Sequence, residues 1–155
     1  VLLASTTLTS AAASIVFSSI PQTYTRLTVV GQAISNYSSG ANEWLLWKFN
    51  SDTGSNYVNT AGTGTILYYG YAASNTNYSG LMPGFMLLDI LNYASTTYHK
   101  PMSGYSSVPV SSTATGYGVG SAAWKQAAAI STITISLEHS GNFQLGTSFQ
   151  IYGYP

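Results

Sequence analysis

The sequence predicts an all-β domain: an antiparallel β-sandwich, jelly-roll-like, of about eight strands. Three observations predict it. Short β-branched and aromatic runs recur between turn residues at intervals of roughly 8–15 positions. Fifteen Gly and five Pro supply the punctuation. No segment sustains a helical period, since the Ala-rich pieces Ala11–Ala13 and Ala127–Ala129 are too short to be helices. At 155 residues the chain suits one domain, 1–155, able to bury a core without disulfides or metals. Residues 1–13 read as an extended N-terminal arm.

The elements follow in order. Ser14–Ser18 is the first strand, closed by Ile20-Pro21, where the residue before proline must be extended. Tyr24–Ser35 is the second, with Leu27, Val29 and Ala33 on one face and Arg26, Thr28 and Val30 on the other. Glu43–Phe49 carries apolar groups on both faces, which predicts a central or covered strand. Thr65–Tyr71 and Phe85–Leu91 come next, separated by the polar stretch Ala72–Pro83. Thr96–Tyr105 contains Pro101 and so predicts an edge or a bulge. Gly116–Trp124 is a glycine-spaced strand. In Ile130–Leu137, Ile133, Ile135 and Leu137 alternate with Thr132, Thr134 and Ser136, and His139–Asn142 turns the chain. Phe149–Tyr152 closes the domain. No repeat is visible, which excludes propellers and solenoids.

Charge is scarce. Arg26, Glu43, Lys48, Asp52, Asp89, Lys100, Lys125 and Glu138 make 5% of the chain, against about 25% in an average globular protein. Polarity comes instead from 23 Ser and 18 Thr, with Asn and Tyr added. Hydroxyls and amides cost less to desolvate than charges, so this composition predicts a surface packed against neighbours, the alternative being a secreted protein with a hydroxyl-rich surface. Four scattered basic residues make no patch for nucleic acid. No apolar stretch approaches the roughly 20 residues of a membrane span. The first residues lack the basic and apolar regions of a signal peptide. With no Cys, thiol catalysis, disulfides and Cys-based metal sites are excluded.

Three stretches carry a resemblance. They are Phe17–Leu27, Leu45–Tyr57 (with the run Phe49-Asn50-Ser51-Asp52-Thr53-Gly54-Ser55-Asn56-Tyr57) and Gly146–Gly153. Together they resemble a recurrent family of virion structural proteins of tailed bacteriophages, whose members carry an F-N-x-D-x-G-x-N-Y run and end on a G-x-x-F-x-[LI]-Y-G strand. The likeness extends from about position 14 to 153. It implies a jelly-roll-like domain on a capsid or in a tail fibre, located in the virion. Capsid decoration or cement is the leading role, with the major capsid protein as partner and a homotrimer as the assembly. A tail-fibre or adhesin domain binding host surface glycans is the alternative. Family members tend to carry more charge in the strand before Asn50; Trp44 and Trp47 here point to a more apolar setting.

Candidate sites follow from residue type. Asn50, Asp52, Gly54 and Asn56 alternate as ligands do in a calcium loop, but Asp52 is the only charge and the bidentate Glu is missing. The loop therefore reads as structural: Asx side chains bonding backbone N–H groups, Gly54 at positive φ, and Tyr57 packed over it. Trp44, Trp47, Tyr68, Tyr69, Tyr71 and Tyr78 form the candidate interface or ligand patch, against cross-strand packing within the sheet. His99 and His139 lack any catalytic or metal-binding spacing and read as surface or turn residues. Four carboxylates make a glycosidase pair improbable, and Asp89 reads as buried, paired with Arg26 or Lys100. The expectation is a protein without enzymatic activity, metal or cofactor.

Overall fold

A computed structural model of the chain describes residues 1–40, 42–59, 62–74, 82–111 and 114–155. Among them are twelve strands and no helix: β1 (Leu2–Thr7), β2 (Ser14–Phe17), β3 (Arg26–Ser35), β4 (Asn42–Phe49), β5 (Tyr57–Asn59), β6 (Gly62–Gly64), β7 (Leu67–Ser74), β8 (Gly84–Leu91), β9 (Lys100–Ser111), β10 (Ala114–Trp124), β11 (Ile133–Leu137) and β12 (Ser148–Tyr154). The all-β class is as the sequence predicts. Two details are added. The extended N-terminal segment 1–13 contains a strand, Leu2–Thr7, that pairs antiparallel with β12. The count reaches twelve because β1 and the short hairpin β5–β6, which polar and glycine-rich sequence concealed, add to the nine segments read from the sequence.

Eight strands fall into two runs, β1-β12-β3-β8 and β2-β11-β4-β7. The chain-neighbour pairs β1/β2, β3/β4, β7/β8 and β11/β12 are each split between the runs, the order that jelly-roll winding produces. The runs are joined into one mixed sheet, since the end of β3 pairs in parallel with β7 at Ile34–Ala73 and Ser35–Ser74. The long hairpin β9–β10 extends the first run beyond β8, and β5–β6 extends it further.

Period-two patterning sets which side chains are buried. Leu27, Val29 and Ala33 of β3 are fully buried, as are Met86, Leu88 and Ile90 of β8 and Ile133 and Ile135 of β11. Central β4, flanked by β11 and β7, turns Glu43, Leu45, Trp47 and Phe49 inward. Rings of the two runs meet in this core: Trp47 edge-on to Phe149 at 6.2 Å, and Phe49 against Trp124 at 5.7 Å. Burying one such side chain is worth about 1.5–3 kcal/mol. Both prolines of β9 lie outside its doubly flanked stretch. β8 pairs only with Met102–Ser107, so Pro101 and Pro109 withhold no donor from it.

Candidate functional site

The Asn50–Tyr57 loop is tied together by its own side chains. The Asp52 carboxylate accepts the Trp124 indole N–H at 2.7 Å, the Gly54 backbone N–H at 2.8 Å and the Asn56 amide at 2.9 Å. Burial works against the charge, but these three donors outweigh it and hold the Asp52 carboxyl below its ordinary range. Asn50 donates to Ala129 O at 2.7 Å and accepts the N–H groups of Ser131 and Thr132 at 2.9 and 3.0 Å. Tyr57 is fully buried under the loop, and its hydroxyl accepts the Phe49 N–H at 3.0 Å. Burial pushes that hydroxyl up to about 12. Asn50 and Asp52 thus tie the loop to Ala129–Thr132 and to Trp124, while Gly54 and Asn56 close it on Asp52.

One detail of the loop differs from expectation. The residues at positive φ are Asn50 (50°) and Ser51 (56°), not Gly54. Asn tolerates the left-handed region because its short side chain bonds locally. Gly54 is required for space: a Cβ there would stand 2.6 Å from Asn56 Nδ2.

The aromatic patch divides in two. Trp47 is fully buried and donates its indole N–H to Tyr69 O at 2.7 Å; Tyr69 is 7% exposed. Neither is a surface residue, because both sit on the core side of their strands. Tyr78 lies outside the described residues. Trp44, Tyr68 and Tyr71 do come together on the outer side, Trp44 lying 4.1 Å from Tyr71 and 6.4 Å from Tyr68 between ring centroids. A bulge brings them there. Trp44 pairs with Tyr71 and Leu46 with Tyr68, so Leu45 faces two residues of β7. Gly70 takes φ +78° at this point, and the extra residue reverses the alternation. Without it, Tyr71 would share the inner face with Tyr69. A cleft of about 100 Å³ opens beside the three rings, bounded by Asn59 and by Gly118–Ser121 of β10.

The scattered charges also find their places. Asp89 is not buried: it stands on the outer face of β8, accepts from the Thr28 hydroxyl and lies 3.9 Å from Arg26. Lys100 is elsewhere, fully buried, donating to the carbonyls of Ser95, Tyr98 and Gln126 at 2.7, 2.6 and 3.1 Å. Its burial holds the ammonium pKa below the ordinary lysine value. Glu43 is buried at the start of β4, accepts the His139 backbone N–H at 2.7 Å, and lies 3.5 Å from the His139 ring. Glu138 approaches the same ring at 4.0 Å. Among the described residues no three His, Asp or Glu side chains are grouped to hold a metal ion.

Sequence reasoning overlooked the outer face of β8–β9–β10. Register aligns Leu87 with Tyr105 and Val119, and Phe85 with Ser107 and Tyr117. Tyr117 is 86% and Val119 80% exposed, and Tyr105 about half. From Pro101 to Trp124 the chain carries no charged residue. Period-two reading of the Gly116–Trp124 run contained the signal, with glycines on one face and Tyr117, Val119 and Ser121 on the other.

Comparison with protein-family models, with curated proteins and with solved structures finds no match to this chain. Among the described residues no helix is long and apolar enough to cross a membrane.

Proposed function

We propose that this chain is a structural protein without enzymatic activity, a capsid decoration protein of a virion. It works by packing a sheet face poor in charge, with Asp89 and Arg26 at its margin, against a neighbouring protein, the major capsid protein. The carrying observation is the outer face of Phe85, Leu87, Tyr105, Tyr117 and Val119, large side chains on three paired strands of which β10 holds no charge and β9 holds only the buried Lys100. Contiguous exposed apolar area of this kind marks protein contacts. The virion setting rests on the resemblance of the Asn50–Tyr57 run and its flanking strands.

The test is co-sedimentation of the purified chain with capsids stripped of it. Wild type is expected to pellet with the capsids. Leu87→Glu and Tyr105→Glu, at the centre of the face, are expected to remain in the supernatant while keeping a native circular dichroism spectrum. Equal pelleting of all three, or none by wild type, would overturn the reading.

A second reading, an adhesin domain binding host surface glycans, is favoured by one observation. Trp44 and Tyr68 are each more than a third exposed beside a cleft with polar Asn59 and Ser121. Glycan-array binding that is lost in Trp44→Ala would select it.

A further inference from the structure

Among the described residues, the outer edge of β10 is the longest strand edge without a partner. β10 pairs with β9 along its whole length, but on its other side β5 takes only Ala123 and Trp124. Among the described residues, nothing pairs with Ala114–Ala122 on that side. The side of β7 away from β4 is without a partner over the shorter stretch Leu67–Ala72, and the terminal strands are blunted as sheet edges usually are. β6 has three residues and β2 four, and β1 carries a register shift between Leu2 and Ala4. Ala114–Ala122 contains no charge and no proline, and its one irregularity is confined to Ala114/Thr115. A row of backbone N–H and C=O groups at such an edge takes one kind of partner, another β-strand.

We infer that the partner is β10 of a second copy, paired antiparallel about a two-fold axis through Gly118. This goes beyond the capsid reading and does not depend on it. The sequence itself is self-complementary about that point. With Gly118 facing its own copy, Tyr117 faces Val119, Gly116 faces Gly120, Thr115 faces Ser121 and Ala114 faces Ala122. The pairing uses the whole open stretch, no more and no less. On the outer face it creates Tyr–Val and Thr–Ser pairs, each formed twice, the aromatic–β-branched and hydroxyl pairs that stabilise antiparallel sheets. On the other face it places glycine against glycine, where the Tyr71 and Tyr69 rings of each copy already lie over Gly118 and Gly120. No like charges meet, because neither strand has any. At one end β5 takes up its pairing with β10 at Ala123, directly beyond the proposed contact.

A trimer is the expectation from the family resemblance; this edge assigns a dimer instead. Antiparallel pairing of identical strands closes on a two-fold axis and leaves no edge for a third copy.

The register makes the inference testable with the isolated chain and no capsid. Wild type is expected to sediment as a dimer that dissociates on dilution. Tyr117→Lys combined with Val119→Lys sets lysines opposite one another across the axis and is expected to weaken dimerisation by about a hundredfold or more. Tyr117→Lys combined with Val119→Glu sets opposite charges there and is expected to restore the dimer. Mixing a chain carrying two lysines with one carrying two glutamates at these positions is expected to give heterodimers from two monomeric stocks, which also guards against misfolding of either variant alone. A wild-type monomer at all concentrations, a trimer, or a dimer indifferent to these charges would overturn the inference. Failure of capsid binding with an intact dimer would overturn only the proposed function.

Discussion

Trp124, the last residue of β10, donates its indole N–H to Asp52 at 2.7 Å, and this bond fastens the loop after β4 to the end of the hairpin extension. Asp52→Ala would strand the Trp124, Gly54 and Asn56 donors in a partly buried setting. We expect a loss of about 3 kcal/mol in unfolding free energy by urea denaturation, since charged hydrogen bonds are worth about 1.5–3 kcal/mol. Asp52→Asn keeps an acceptor oxygen and should lose about half as much.

The same carboxylate makes the fold sensitive to acid. Its folded pKa is lowered, so its contribution is present above the ordinary carboxylate value of 3.8 and is lost as pH falls through the folded value. Stability measured against pH should decline in that range for wild type and more gently for Asp52→Asn.

At the alkaline end the tyrosines decide. Burial, with the Asp89 charge adding to it, pushes Tyr69 from 10.0 up to about 12, and Tyr57 is raised to the same level. A raised folded pKa gives stability that is complete below pH 10 and disappears as pH climbs through 12. Each shift corresponds to about 3 kcal/mol. Unfolding in this window should coincide with the rise of tyrosinate absorbance. Tyr69→Phe removes only a weak 3.4 Å bond to Leu87 O and should move the alkaline midpoint upward.

The β7 bulge depends on Gly70. Its φ of +78° is strained for any other residue, and a Cβ would lie 3.2 Å from that of Met86. Gly70→Ala should cost about 1–3 kcal/mol. Near-ultraviolet circular dichroism should report the loosening of the Trp44–Tyr71 contact, and an unchanged spectrum and melting curve would refute this account of the bulge.

Lys100 shows how one buried charge is made tolerable. Lys100→Met removes the charge but leaves three carbonyls without their donor. A net loss of about 2 kcal/mol is expected by denaturant unfolding, because stranded acceptors cost about 1–3 kcal/mol. As pH rises toward the ordinary lysine value of 10.5, deprotonation relieves the buried charge first in the folded state, so this residue's penalty shrinks.

Much of the fold was legible because period-two burial is local information. Leu27, Val29 and Ala33 on β3 and the alternation of Ile133, Ile135 and Leu137 on β11 read directly from spacing. β1 was not legible. Its Ser and Thr residues carry little apolar signal, and what makes it a strand is the partner edge of β12, 150 residues away along the chain at Leu2–Tyr152. The loop was readable as an Asx network from residue type, whereas Trp124, Ala129 and Ser131 as its partners depend on tertiary placement. The aromatic patch was half legible. Composition marks Tyr68, Tyr69 and Tyr71, but a single glycine at positive φ decides which of them leave the core.

The enclosure of Lys100 also governs the chemistry of the chain's amines. Lys125 is exposed and Lys48 half-buried, while the Lys100 amine is fully enclosed and its three protons face carbonyl oxygens. An acylating or reductively methylating reagent would modify Lys125 and Lys48 on the folded protein and spare Lys100. Modification at Lys100 would then be a chemical clock for global opening, readable by mass spectrometry from one peptide.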